Sequence, residues 1–253
     1  MKFLAALQFL TIIPLPRRRE VSPEDLGRSI GYFPVVGLII GLILAGLNWL
    51  LGLFLPPAVV NVLLIVYLVV ISGALHLDGF ADTCDGIAGH KTPEARWQVM
   101  HDSRAGAFGI VGICLLLLVK YVSLNNVPET SLTATLILMP VVSRWAMVYA
   151  IFAYPYARPS GLGKIFKQGT SWPRLLMATL ISLVVVILAG LAGLAIILGL
   201  AIMLAIWIMV LIMATYLKRK FAGLTGDTYG AVNEVAEVGV LILVCLLAQL
   251  GLV

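Results

Sequence analysis

The chain alternates long apolar stretches with short polar ones, and the length of the apolar stretches decides what they are. A helix needs about 20 apolar residues to cross a hydrocarbon core. Runs of that order lie at Ile30–Leu55, Ala58–Leu77, Gly106–Leu124, Leu132–Tyr154, Leu175–Ala192, Leu194–Leu217 and Val235–Val253. The opening run Phe3–Pro16 is shorter and is interrupted by Pro14 and Pro16, which predicts an interfacial or re-entrant helix rather than a full span or a cleaved signal. The expectation is an all-α, polytopic integral membrane helical bundle of about seven transmembrane helices, with residues 1–253 forming one domain.

Composition agrees with the pattern. Hydrophobic residues make up 61% of the 253 positions and charged residues only 11%, a balance that excludes a soluble globular domain. The charges are not spread evenly. Arg17–Arg28 and the connections Asp78–Ala105, Pro155–Arg174 and Lys218–Glu234 hold nearly every Lys and Arg, while those around Pro56, Asn125–Thr130 and Gly193 hold none. The positive-inside rule then predicts a multi-pass protein of the cytoplasmic (inner) membrane with the basic end in the cytoplasm. Of the 12 acidic residues only Glu129 falls on the far side, so the chemistry is expected at the cytoplasmic face. A net charge of +5 spread beside lipid headgroups suits an anionic bilayer and not a nucleic acid. Cys84, Cys114 and Cys245 are scattered without a CxxC, so neither a disulfide framework nor a zinc site is indicated.

The most informative polar stretch is His76-Leu-Asp-Gly-Phe-Ala-Asp-Thr-Cys-Asp-Gly86. Spacings of four and seven put Asp82 and Asp85 about 40° and −20° from Asp78 on a helix, so the three carboxylates share a stripe. Carboxylates that close repel unless a cation sits among them, and hard oxygen ligands suit Mg²⁺ or Mn²⁺. A solvated acidic helix end is the bland alternative. His76 lies about 160° from Asp78, which points to a structural hydrogen bond rather than a ligand.

Two further blocks share the basic side. In His101-Asp-Ser-Arg-Ala-Gly-Ala-Phe-Gly109, Asp102 and Ser103 can cap the following helix. Equally, Ser103 and Arg104 beside small residues can hold phosphate oxygens. In Gly223–Glu237 a single helix would put Asp227, Gly230, Glu234 and Glu237 within about an 80° arc, which extends the candidate metal set to Asp227, Glu234 and Glu237; Asn233 is a candidate substrate contact. The alternative makes Asp227 an N-cap and leaves the glutamates unconnected. Arg144 lies about 15 Å inside its span, either paired with an acid or facing substrate. Lys120, nearer the outer end, is expected to snorkel. Arg158 and Lys164 flank a Gly-containing loop that suits a phosphate clamp or a lipid-facing anchor. Together these features fit phosphoryl transfer onto a hydroxyl, with cations shielding a diphosphate.

HLDGFADTCDG, HDSRAGAFG and GDTYGAVNEVAE, with Leu10-Thr-Ile-Ile-Pro14 near the start, resemble the adenosylcobinamide-GDP ribazoletransferase (cobalamin-5′-phosphate synthase) family in order and over nearly the whole chain. Cys84 and His90 stand where small residues are more usual. The resemblance implies the last step of cobalamin nucleotide-loop assembly: adenosylcobinamide-GDP is joined to α-ribazole or its 5′-phosphate, GMP is released and Mg²⁺ is used. It maps metal-binding acids onto Asp78, Asp82 and Asp85, with Asp227 as a partner. The expected chemistry has Asp82 or Asp102 as base and Arg104 holding the departing charge. A homo-oligomer, or an assembly with other enzymes of the pathway, is left open. Rival readings are a CDP-alcohol-type lipid phosphotransferase, whose Arg after the first glycine is missing here, and a divalent-cation transporter, whose sites lie nearer the midplane.

Overall fold

The computed structural model describes residues 1–14, 21–89, 92–102, 104–190 and 194–253. Helices α1 (Lys2–Leu10), α2 (Pro23–Gly27) and, after a 3₁₀ turn at Arg28–Tyr32, α3 (Phe33–Gly52) open the chain. Helices α4 (Pro57–Ile71), α5 (Leu75–Ile87), α6 (Pro93–Val99) and α7 (Ala107–Asn125) follow. The rest is α8 (Glu129–Ala153), α9 (Leu162–Gly169), α10 (Trp172–Ala189), α11 (Ile196–Phe221) and α12 (Gly226–Gln249). Six of these are long and apolar enough to cross a membrane, and the α4–α5 pair makes a seventh candidate. Among the described residues the only extended pairing is a single bridge between Tyr156 and Leu224. The protein is an all-α, multi-pass membrane bundle.

Helix α8 is the centre of the bundle. Its most apolar stretch is 78% buried, against 28% for α7 and for α11. The outward faces of the peripheral helices carry Leu115, Leu118, Val184, Ile208 and Ile212 in the open, the surface that hydrocarbon covers. Lipid competes well with apolar side chains, so helices in a bilayer associate through close backbone packing. Gly37 and Gly41 on α3 supply it: a side chain at Gly37 would strike the Pro140 carbonyl, and one at Gly41 would lie 2.7 Å from the Ile137 Cα.

The largest departure from the predicted elements is at the second span. An unbroken helix was expected from Ala58 to Leu77; the structure ends it at Ile71 and turns the chain by 86° into α5. Gly73 (φ 59°) and Ala74 (φ 57°) both adopt the left-handed conformation, which no right-handed helix continues through. The backbone N–H of Ile12 donates to the Ile71 carbonyl at 2.8 Å, satisfying an acceptor that the interrupted helix leaves open. Helix α5 therefore lies along one end of the bundle instead of crossing it. Arg96, itself buried, closes its far end by donating to the Gly86 and Ile87 carbonyls at 2.8 and 2.7 Å.

The same end collects the other polar connections. Trp97 Nε1 donates to the Phe221 carbonyl at 3.1 Å. Ala157 N–H donates to Leu224 O, and Leu224 N–H to Pro155 O, each at 2.8 Å. The segments before α7, after α8 and before α12 thus meet over α5.

Candidate active site at the polar end of the bundle

Helix α12 starts where it does because Thr225 and Thr228 cap each other: the Thr228 N–H donates to Thr225 Oγ1 at 3.2 Å, and the Thr225 N–H donates to Thr228 Oγ1 at 2.8 Å. That places Asp227 in the first turn, where the helix dipole favours an anion. Gly79 lets α5 cross it closely, since a Cβ there would stand 2.8 Å from the Asp227 carbonyl oxygen. Two carboxylates of α5 and one of α12 therefore gather at one crossing. Asp78 is exposed and Asp82 and Asp227 are partly buried.

The electrostatics follow from that gathering. Asp82 is pushed up to about 7, first by burial and then by the charges of Asp78 and Asp227, with Arg158 opposing. Arg158 comes from the loop after α8 and pairs with Asp227 at 2.9 Å; its side chain is 11% exposed. Lys164 Nζ donates to the Pro159 carbonyl at 2.5 Å, which closes the loop that presents Arg158. His101 is an electrostatic neighbour of Asp227, so the second block borders the same crossing.

Beneath the rim formed by Asp78, Arg158 and Asp227 lies a cavity of about 240 Å³. Phe9, Phe33 and Phe166 form one wall, Tyr156 and Tyr229 another, and Met147 and Ile151 of α8 line it as well. No spacing rule brings these residues forward, because they come from six separate segments. Tyr229 alone lies within one of the three polar motifs.

Asp85, expected beside Asp78 and Asp82 as a ligand, turns away from them. Its two oxygens accept the Gly106 and Gly109 N–H groups, each at 2.8 Å, so it caps α7 across space. The predicted cap of that helix, Asp102, instead takes a bidentate contact from Arg104, with Nε at 3.0 Å and Nη2 at 2.7 Å. Both are exposed, and Arg104 is 88% so. The hydrogen bonds from Arg104 draw Asp102 down to about 2, which makes it a weak proton acceptor beside Asp82. Ser103 and His90 lie outside the described residues.

The deeper polar residues of α12 belong to a separate buried cluster. Lys120 Nζ lies 2.9 Å from Glu234 and 2.7 Å from Glu237. Arg144 pairs with the other oxygen of Glu237, and Asn233 Nδ2 donates to that oxygen at 3.3 Å. Lys120 is 3% exposed and Arg144 1%. Several expectations are corrected here. Lys120 does not snorkel, Glu234 and Glu237 hold side-chain cations, and neither Arg144 nor Asn233 lines the cavity. The predicted arc on α12 is present, but the helix carries its glutamates about two and three turns further into the bundle than Asp227. His76, expected to make a structural hydrogen bond, is buried with no partner at Nε2.

Among the described residues no three His, Cys, Asp or Glu side chains are gathered into a ready cation cage. Mg²⁺ is commonly held by one or two carboxylates with the remaining positions taken by water and substrate phosphates. Asp78 and Asp227 on the rim, offset by Arg158, fit that mode of binding.

The model of the family described as cobalamin-5-phosphate synthase matches residues 2–245. An adenosylcobinamide-GDP ribazoletransferase of Geotalea daltonii is 41% identical over 237 residues, covering 93% of each chain. One from Roseiflexus sp. is 37% identical over 98% of this chain and 90% of its own, and one from Desulforamulus reducens is 34% identical over 97% and 96%. No solved structure matches.

Proposed function

The chain belongs to the cobalamin-5-phosphate synthase family, and from that membership and the geometry of the polar end we propose that it is an adenosylcobinamide-GDP ribazoletransferase. It joins adenosylcobinamide-GDP to α-ribazole, or to α-ribazole 5′-phosphate, and releases GMP in the final step of cobalamin assembly. The end carrying α5, α6 and α9 faces the cytoplasm of the inner membrane, a reading supported by the Lys and Arg concentrated there. A soluble corrinoid nucleotide reaches it without crossing lipid.

The reaction balances as follows. A hydroxyl oxygen of the ribazole forms a bond to the phosphorus that carries cobinamide. The bond from that phosphorus to the bridging oxygen breaks, and GMP leaves with the electron pair. The proton passes to a carboxylate. Asp82 suits that role, because burial and the neighbouring carboxylates push it up to about 7, where a base accepts a proton near neutral pH. Arg158, largely buried and held over Asp227, is the guanidinium best placed for the diphosphate, in preference to the exposed Arg104. Asp78 and Asp227 would hold Mg²⁺, which would supply Lewis-acid stabilisation of the phosphate oxygens, with Asp82 left unligated as the base.

The observation that carries this reading is the convergence of Asp78 and Asp82 with Asp227 at the Gly79 crossing. The test is Asp82→Asn in purified membranes given adenosylcobinamide-GDP, α-ribazole and Mg²⁺. Loss of general-base catalysis alone is worth about 100-fold or more in rate. GMP release at the wild-type rate, with the variant inserted at normal levels, removes Asp82 from the mechanism.

A further inference from the structure

The rim accounts for phosphate and hydroxyl chemistry, but the cavity below it is of a different character. Phe9 and Phe166 have ring centroids 4.5 Å apart, Phe33 and Phe166 5.5 Å, and Phe9 and Phe33 6.0 Å. Across from them Tyr156 and Tyr229 lie 6.4 Å apart. Phe33, Phe166 and Tyr229 are packed as a floor, and Phe9, Tyr156, Leu75 and Leu162 border the open volume above it, where tight packing is the rule in protein interiors. His76 and Tyr229 belong to its lining, and each carries a buried polar atom without a hydrogen-bond partner, His76 Nε2 and Tyr229 Oη. Each such orphan costs about 1–3 kcal/mol.

Size narrows the occupant. At about 240 Å³ the cavity falls below the roughly 300–1,000 Å³ range of sites that enclose drug-sized ligands. A corrin ring or a whole guanosine diphosphate therefore does not enter, whereas one flat bicyclic ring system does. The depth is apolar and aromatic, and the mouth carries Asp78, Arg158 and Asp227. A molecule with an aromatic ring at one end and a sugar hydroxyl at the other matches that polarity.

We infer that this cavity is the acceptor subsite: the benzimidazole ring of α-ribazole enters between Phe9 and Tyr156 over the packed rings of Phe33, Phe166 and Tyr229, and its ribose emerges at the rim beside Asp78 and Asp227. This rests on the transferase reading and deepens it. Seating the base on the floor leaves the 5′-hydroxyl at the mouth, while the bulky corrinoid diphosphate approaches from outside. Selectivity among acceptors then comes from apolar ring area and not from a pattern of base-edge hydrogen bonds.

The test uses the full-length protein in nanodiscs and two readouts. Equilibrium dialysis measures binding of α-ribazole alone, and GMP release measures the KM for α-ribazole and for adenosylcobinamide-GDP separately. Replacing the base by bare imidazole removes most of the buried apolar area, so binding is expected to weaken roughly tenfold to a hundredfold. Phe166→Leu keeps an apolar side chain but removes the ring; it is expected to weaken α-ribazole roughly threefold to tenfold. The variant leaves the imidazole riboside and the KM for adenosylcobinamide-GDP within about twofold, a split that general loss of structure does not produce. Leu162→Ala, on the exposed lip of the cavity, does the same with a roughly fivefold effect should Phe166→Leu not fold. Unchanged discrimination between the two ribosides in the folded variants, with GMP release intact, overturns the subsite but not the transferase. A lipid acyl chain found by mass spectrometry and not displaced by α-ribazole overturns it in favour of lipid. Wild-type protein that releases no GMP overturns both.

Discussion

Replacing Lys120 by Met strands a charge where water cannot reach it. Lys120 is 3% exposed and is the cation within reach of Glu234, at 2.9 Å; it also serves Glu237 at 2.7 Å, which keeps Arg144 as a second partner. The intact cluster of two cations and two carboxylates is neutral. Lys120→Met leaves it with one surplus negative charge, concentrated on Glu234. Removing one partner of a buried ion pair costs about 3–5 kcal/mol. A proton can relieve the stranded carboxylate, but holding a carboxyl of ordinary pKa, near 4.3, protonated at pH 7 costs about 3.7 kcal/mol. The two routes agree, and either is a large share of the roughly 5–15 kcal/mol that holds a protein folded. The assay is reversible unfolding by SDS in mixed micelles at pH 7, comparing wild type, Lys120→Met and Lys120→Met/Glu234→Gln. The double variant restores neutrality and is expected to recover about 2–3 kcal/mol of the single variant's loss. A single variant within about 1 kcal/mol of wild type, or a double variant no better than the single, would refute the claim that this cluster is dry and mutually compensating.

Three further outcomes are expected. Asp82, raised from its ordinary 3.8 to about 7, binds a proton in the folded metal-free protein that the unfolded chain has already lost, so stability falls as pH rises from about 4 to 7. A divalent cation held by Asp78 and Asp227 repels that proton, so apparent Mg²⁺ affinity, followed by thermal shift, rises with pH up to about 7 and then levels; a flat profile in both measurements contradicts it. Asp85→Ala uncaps α7 and costs about 1–2 kcal/mol of stability, and excess Mg²⁺ does not restore it; rescue by Mg²⁺ means Asp85 is a ligand after all. Gly79→Ala puts a methyl 2.8 Å from the Asp227 carbonyl oxygen, forces α5 and α12 apart at a cost of about 1–3 kcal/mol, and lowers GMP release more than Gly46→Ala, where a Cβ meets nothing within 4 Å.

Much of the architecture was legible in the sequence because a bilayer imposes lengths. The apolar runs predicted the crossing helices to within a few residues at most ends, and the rise of Lys and Arg in alternate connections singled out the end where α5, α6 and α9 gather. The stripe of Asp78 and Asp82 was legible for a similar reason, since helical period alone puts residues four apart on one face. Asp85 shares that face by angle, yet its carboxylate reaches across to Gly106 and Gly109. Periodicity gives the direction of a side chain from its own axis and says nothing of the helix end it meets.

By itself the sequence determined a multi-pass helical bundle, which of its ends is polar, and which three blocks carry most of its acids. These follow from local quantities: run length, residue spacing and charge per connection. Only the tertiary structure decided that the second span breaks at Gly73 and Ala74, that Lys120 and Arg144 neutralise Glu234 and Glu237, and that five ring-bearing segments enclose a cavity under Asp78, Arg158 and Asp227. Burial of a charge depends on what stands opposite it, and the groups that stand opposite here are 93 to 117 residues away along the chain.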